Sequence, residues 1–317
     1  MKKKNGIENL AVSRSRGLGE KLRLVFKDWR LWVLLLPAAI YLFVFSYLPM
    51  YGVQIAFKDY SARAGIWGSE WVGLKYFKKF ISHPNFELYL FNTLRIGLYV
   101  LTTFVLPIIF ALMLNEVRNL KFKKAVQMIS YMPHFLSAVI ICSLVTLFFN
   151  EQTGFVNMII KNITGKTVPF LTKAALFDDV YVWSGAWQGL GWGAIIYTAA
   201  LAGVPSELVD AAKIDGANRM QIIRHVNLPH ILPTIVIMLI FACGGILGND
   251  FEKILLLQND LNLSRSQVIS TYVYTMGIRG GEFSYASAIG LFNNIISVLI
   301  IVLVNKIANK VSDVGIW

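Results

Sequence analysis

Ser206-Glu-Leu-Val-Asp-Ala-Ala-Lys-Ile-Asp-Gly-Ala-Asn-Arg-Met-Gln-Ile-Ile-Arg-His-Val-Asn-Leu-Pro-His230 is a polar stretch set between two long apolar runs. It reads as two short helices joined at an elbow. Ser206 stands where it can cap the first helix, with Glu207 and Asp210 in the first turn, where acids complement the positive end of the helix dipole. Gly216 is a stop, because glycine enters the left-handed region without a Cβ penalty. Asn218, followed three residues later by Gln221, has the form of a capping box that starts the second helix. Pro229 biases Leu228 away from helical backbone and is expected to end that helix. Ala211, Ala212, Gly216 and Ala217 keep the bend free of bulk, so another surface can approach its backbone closely. By spacing alone, an ordinary helical-hairpin loop fits equally well.

What flanks the elbow decides the class. The 317 residues are 56% hydrophobic and only 15% charged, with a mean hydropathy of +0.58. Soluble domains carry about 25% charged residues, so the excess of apolar surface points to a membrane. A net charge of +12 can suggest nucleic acid. The basic residues, however, sit at the flanks of apolar runs and not along one face of a soluble domain, so no nucleic-acid partner is expected. Cys142 and Cys243 lie inside apolar runs and are expected to be buried, unpaired thiols, with no metal site or disulfide framework.

A helix needs roughly 20 apolar residues to cross the hydrocarbon layer. Six runs approach that length: Leu31–Ala56, Tyr89–Leu114, Phe135–Phe149, Val180–Leu201, Ile231–Leu247 and Ala286–Val304. The third is short, and Ala125–Met132 can extend it backwards across Pro133. The fifth can continue through Ile254–Leu257 after the polar break at Asn249-Asp250. Residues 1–30 form a basic segment, and the stretch from Gly17 to Trp29 suits either a solvated tail or a helix on the cytoplasmic membrane face. The apolar run that follows is too long and too aromatic for a cleaved signal peptide. With the N-terminus inside, the inner segments hold 18 Lys and Arg and the outer segments 11. That bias predicts cytoplasmic termini, a span region over 31–307, a tail over 308–317 and a cytoplasmic elbow over 206–230.

Asp210-Ala-Ala-Lys-Ile-Asp-Gly216-Ala217, followed by Leu228-Pro229, resembles the EAA loop of ABC-importer permeases, the segment that docks into the ATPase subunit. Asp210 departs from that pattern, which most often has glutamate there. Leu48-Pro-Met-Tyr-Gly52, Trp71-Val-Gly-Leu-Lys75, Asn92-Thr93, Tyr131-Met-Pro-His-Phe135 and Tyr272-Val-Tyr274 fall in order around it, as does the ending Asn305-Lys-Ile-Ala-Asn-Lys310…Gly315-Ile-Trp317. Together they resemble the maltose-type carbohydrate permeases, in the branch that imports oligosaccharides from complex polysaccharides. The resemblance implies an all-α polytopic fold of six transmembrane helices, the type I importer permease fold, with cytoplasmic coupling helices in a bacterial cell membrane. It implies a second, related permease, two ATPase subunits and an extracellular solute-binding protein as partners. It also implies that ATP and magnesium belong to the ATPase subunits, with no cofactor on this chain. Glu207, Asp210, Ala211, Ala212, Asp215, Gly216, Ala217 and Asn218 become the expected ATPase-coupling residues.

No catalytic set competes with transport. Gly165-Lys-Thr167 has the letters of a phosphate-loop tail, but Ile160 replaces the glycine such a loop needs and Pro169 obstructs the following helix. There is no H-E-x-x-H, and the four histidines are scattered. Gly185, Gly189, Gly191 and Gly193 line the fourth run and suit either close helix packing or a backbone-lined path. Polar residues within spans face protein or water. Asn92, Arg95, Trp187, Gln188, Asn249 and Asn293 are the candidates for a substrate path, with inter-helix hydrogen bonding as the alternative for the polar ones. Arg95 can face the lumen or snorkel outward. A non-sugar solute in the same architecture, or a stand-alone secondary transporter, are the rival readings. The second expects paired acids buried mid-span, and the acids here fall mostly outside the span centres, which disfavours it.

Overall fold

The computed structural model describes residues 29–312 and Gly315. The basic segment before Trp29, with its membrane-surface reading, lies outside the described residues. Two compact units divide at Gln54 and Ile55.

The first unit holds α1 (Trp29–Leu42), a π-helical turn (Phe43–Tyr47) and the short helix Leu48–Met50. Helical backbone continues to Phe57, and Trp29–Phe57 is long and apolar enough to span a membrane. Of its two prolines, Pro37 lies inside α1, and Pro49 is accommodated by the π turn. The Leu48 N–H bonds back to Phe43, five residues earlier, so the widened turn ends where Pro49 has no donor to offer.

The second unit opens on a small antiparallel ribbon, β1 (Lys58–Asp59) with β2 (Glu70–Trp71), in which Lys58 pairs with Trp71. The Tyr76 hydroxyl donates to Asp59 at 2.7 Å and Lys75 pairs with it at 3.2 Å. Those two hydrogen bonds hold the Asp59 carboxyl below its usual range. Burial, and then the bond to Asp59, push Tyr76 up to about 12. Tyr76 belongs to α2 (Lys75–Ile81). One core gathers Phe80 from α2, Tyr89 from α3 (Phe86–Thr102), and Tyr272 and Tyr285 from segments near the C-terminus.

A tight turn separates α3 from α4 (Val105–Asn115), and together they form one apolar rod long enough to cross. The next pair behaves differently. Between α5 (Leu120–Tyr131) and α6 (Ala138–Phe149) the chain bends by 102°. The extension of the third span through Ala125–Met132 across Pro133 is therefore not one continuous helix. Pro133 opens a 3₁₀ turn, Leu136 is extended, and Ser137 starts a new helix by accepting the Ile140 N–H.

The short helix α7 (Phe155–Thr164) ends on Gly165 at φ +73°. After it comes α8 (Phe177–Ala202), 26 residues, the central rod of the unit. It packs on α4 through Ile108, Ala111, Ala194, Tyr197 and Leu201, joined by Ile231. The four glycines of α8 divide by role. A Cβ at Gly191 would fall on the Ser130 carbonyl, and one at Gly193 would meet Pro107 at 3.1 Å, so these two allow close packing. Gly189 has open space beside it.

Then the chain bends by 74° into the elbow. Its first helix, α9, is Ser206–Ile214, and its second, α10, is Arg219–Ile222. Beyond the elbow lie α11 (Leu228–Gly244), α12 (Phe251–Leu257), α13 (Leu263–Ser266), α14 (Ile269–Tyr274) and α15 (Phe283–Ser312). The fifth span does not continue into Ile254–Leu257, which is another correction. α11 stops at Gly244, and Asp250 caps α12 by accepting the Lys253 N–H. α15 is helical through Ser312, so the last rod continues into positions 308–312. Among the described residues, the rods amount by length and composition to four spans, or up to six if each bent pair counts as one.

Candidate functional site

The elbow carries the first half of the site. Pro205, with φ −58° and ψ 129°, takes the boundary position, so Ser206 is already helical and its hydroxyl caps nothing. That corrects the expected Ser206 cap. Glu207 remains in the first turn, while Asp210 lies a turn further on and pairs with Lys213 at 2.9 Å. Gly216, at φ +81°, closes α9 as expected. Its N–H bonds to Lys213 at 3.1 Å and the Ala217 N–H to Ala212 at 2.9 Å, a Schellman closure that satisfies the last carbonyls. Asn218 and Gln221 form the expected reciprocal capping box, with bonds of 3.0 and 2.7 Å.

Pro229 does not end the second helix. α10 widens into a π turn over Ile223–Asn227 and runs directly into α11, with Pro229 in its first turn. As at Pro49, the wide turn places the missing donor where none is required. The elbow is therefore joined rigidly to α11 on one side and by a sharp bend to α8 on the other. No residue of α9 is buried, and Leu208, Ile214 and Met220 are exposed, Ile214 at 87%.

The second half is a cleft of about 540 Å³. Its walls come from α3, α4 and the turn between them (Gly97, Val100, Phe104, Pro107), from α8 (Tyr181, Gly185, Gln188, Gly189), and from the end of α11 and the chain after it (Ala242, Ile246, Asn249, Asp250, Lys253). Small residues and backbone make up much of the lining. A Cβ at Gly97 would fall on the Ile246 carbonyl, so this glycine permits the close approach of α3 to the end of α11. The Gln188 amide donates to Leu136 O at 3.2 Å, and the Asn249 amide to Thr93 O at 3.1 Å. Each keeps its side-chain oxygen available to a hydroxyl donor.

The six path candidates are not brought together. Gln188 and Asn249 line the cleft. Trp187, a neighbour in sequence, turns to a separate apolar groove beside Leu144, Phe148 and Trp183. Asn293 donates to Leu247 O at 3.2 Å, away from the cleft lining. Asn92 is fully buried and donates to Ser264 O and Gln267 O at 3.1 and 2.9 Å, which ties α3 to the segment at α13.

Arg95 is absent from the cleft lining. Its guanidinium grips Asp178 in bidentate fashion, Nε to Oδ2 at 2.8 Å and Nη2 to Oδ1 at 3.0 Å. It also donates to Asn92 Oδ1 and to the Arg265 carbonyl, both at 2.8 Å. Arg265 approaches the same carboxylate at 3.5 Å. Asp178 is the residue that sequence reading missed. Its signal was the pair Asp178-Asp179 at the start of the fourth rod, where an acid suits the helix N-terminus and can meet a span arginine.

Lys253 was missed as well, having been counted only among the outer basic residues. It is 2% exposed and stands in the cleft wall, with its ammonium beside Gly185. The available signal was a single cation inside Phe251-Glu-Lys-Ile-Leu-Leu-Leu257.

Helical rods, a protruding elbow and a one-sided cleft define a membrane permease subunit. Residues 103–313 match the family of binding-protein-dependent transport system inner membrane components, and the chain belongs to that family. It is 43% identical to the protein LplB of Bacillus subtilis over 92% of each chain. It is 41% identical to the polygalacturonan/rhamnogalacturonan transport system permease protein YteP of the same species, over 90% of each. Among solved structures it is similar to a chain of a bacterial ABC transporter involved in the import of the acidic polysaccharide alginate. That match has a TM-score of 0.83 at 37% identity and covers 92% of this chain and 100% of the other. A second structure of a bacterial alginate ABC transporter, in complex with an alginate pentasaccharide-bound periplasmic protein, gives a TM-score of 0.84 at 36% identity. The importer permease fold and a multi-pass membrane location follow for this chain.

Proposed function

We propose that this chain forms half of the translocation path of an ATP-driven importer for an oligosaccharide delivered by an extracellular solute-binding protein. The observation that carries the reading is the cleft on α8, lined by small residues and by the Gln188 and Asn249 amides, in a chain similar over nine-tenths of its length to a polysaccharide-fragment permease. Amide oxygens and bare backbone suit a ligand rich in hydroxyls, and single contacts netting about 0.5–1.5 kcal/mol keep such a site weak enough to release its cargo.

A second, related permease supplies the facing wall. Two ATPase subunits bind ATP and magnesium and carry out hydrolysis, and one of them docks on Leu208, Ile214 and Met220 around the small-residue bend. Glu207, Asp210, Ala211, Ala212, Asp215, Gly216, Ala217 and Asn218 form that contact. Both termini are cytoplasmic, so the elbow faces the ATPase.

The coupling mechanism follows from how the elbow is attached. Closure of the ATPase dimer moves α9 and α10 together. Their movement passes into α11 through the continuous π turn and into α8 through the bend, and both rods bear cleft residues. Swinging a two-state equilibrium from 1:99 to 99:1 takes about 5.5 kcal/mol, a size that ATP-driven closure can supply.

Reconstitution tests the reading. The chain with its partner permease, ATPases and binding protein in proteoliposomes should accumulate oligosaccharide only with ATP. Transport by the chain alone, driven by an ion gradient, would refute it.

A further inference from the structure

Lys253 is buried in a way that its neighbours do not explain. The other buried lysine, Lys58, donates to the Ile66 carbonyl at 2.7 Å, and the buried Asp178 is held by arginine. The Lys253 ammonium is inaccessible to solvent, yet among the described residues it has no hydrogen-bond partner and no carboxylate within ion-pair distance. Its nearest support is the Tyr181 ring, 5.4 Å away.

The space it occupies is built for it. Apart from Glu252 and Lys253, α12 is apolar, and Ile254 and Leu257 anchor it in the core with Ile141 and Cys142. On α8, Gly185 leaves the ammonium room, since a Cβ there would stand 3.3 Å from Nζ. Asp250, the acid closest in sequence on the cleft wall, uses its carboxylate to accept the Lys253 N–H at 3.2 Å, while its own N–H donates to the Tyr181 hydroxyl at 3.0 Å. The carboxylate serves as a helix cap and acts on the ammonium only at a distance, forming no ion pair with it. An unpaired buried cation is costly to keep.

We propose that Lys253 is the anion-recognition point of the cleft and takes the carboxylate of a uronic-acid residue in the transported oligosaccharide, with Gln188 and Asn249 meeting neighbouring hydroxyls. This rests on the oligosaccharide reading above. Lysine is suited to the task because its ammonium is a compact point charge, without the two-pronged grip by which arginine would hold a carboxylate fast. A passing carboxylate is attracted to such a charge and then released.

The experiment uses the full complex, with wild-type chain and with Lys253→Gln, Lys253→Met and Lys253→Arg. A uronic-acid trisaccharide and its methyl-esterified, neutral counterpart are bound to the purified complex held closed by ATP on hydrolysis-deficient ATPase subunits, without binding protein. Uptake of both sugars into proteoliposomes and the thermal stability of the complex are measured in parallel. Lys253→Gln and Lys253→Met should weaken binding of the acid about tenfold or more, leave the ester within about twofold, and be largely rescued in Lys253→Arg. Lys253→Met should also raise thermal stability, because it replaces an unpaired charge with an apolar isostere. Equal losses for acid and ester, unchanged binding of the acid, or a destabilised Lys253→Met complex that sheds the partner permease would overturn the proposal. A wild-type complex that imports the ester and not the acid overturns it while leaving the importer reading intact. A wild-type complex that imports no oligosaccharide defeats that reading instead.

Discussion

Removal of the Arg95 guanidinium separates a structural ion pair from a charge that selects cargo. The side chains of Arg95 and Asp178 are 18% and 10% exposed, so the pair is largely withdrawn from solvent. Arg95→Gln deletes both bonds to Asp178 and the bonds to Asn92 Oδ1 and the Arg265 carbonyl. Breaking one partner of a buried pair costs about 3–5 kcal/mol, mostly because a charge is left stranded. Here Arg265, already 3.5 Å from the Asp178 carboxylate, can close part of the gap. The expected loss is therefore at the lower end, about 3 kcal/mol. Arg95→Gln with Asp178→Asn should recover part of it, since the double variant leaves no buried charge unpaired. Thermal unfolding of the detergent-purified complex measures the cost, and uptake of neutral and acidic oligosaccharides measures the consequence. Both uptakes should fall together, in proportion to the folded complex recovered. Unchanged stability with a loss confined to acidic cargo would refute the ion-pair account and return Arg95 to the path.

At the elbow, Gly216→Pro should leave the chain inserted but abolish ATPase association in pull-down, since proline fixes φ near −65° and the site needs +81°; normal docking and transport would refute the coupling role. Bulk at Ala212 should act in the same way. With Cys142 and Cys243 replaced, a cysteine at Asn218 should label only from the cytoplasmic side and one at Thr164 only from outside, and reversed accessibility would refute the topology. Gly97→Ala should destabilise the protein by about 1–3 kcal/mol or more in thermal unfolding, because its Cβ collides with the Ile246 carbonyl. Gly189→Ala, with nothing within 4 Å, should be neutral or mildly stabilising.

The features legible in the sequence were those set by local chemistry. The apolar runs, the Gly216 stop and the Asn218–Gln221 box each depend on residues within one or two turns, and the structure contains them. Two errors at the prolines share one cause. Pro229 was read as a break from its effect on Leu228, but a π turn alters which carbonyl seeks which donor, and the helix passes through. Pro133 was read as passable, but there the chain leaves helical geometry at Leu136 and turns by 102°. A proline states only that its own nitrogen donates nothing. Whether the rod continues depends on the turn before it and on what the next rod packs against.

The polar span residues were less legible, because their roles are set across the fold. Asn92 and Arg95 are far from Asp178 in sequence, and only the meeting of α3, α8 and the α13 segment joins them in one ion-paired and hydrogen-bonded network. A span arginine invites a functional reading until its carboxylate is found. Lys253 presents the reverse case. In sequence it is one more basic residue outside the spans, and only the packing of α12 against α6 and α8 shows a buried ammonium with no hydrogen-bond or ion-pair partner among the described residues. A polar group satisfied within the fold is explained by folding. One that is buried, unsatisfied and set in the wall of a cleft calls for a ligand from outside it, and in a cleft that suits sugar hydroxyls that ligand is a carboxylated sugar.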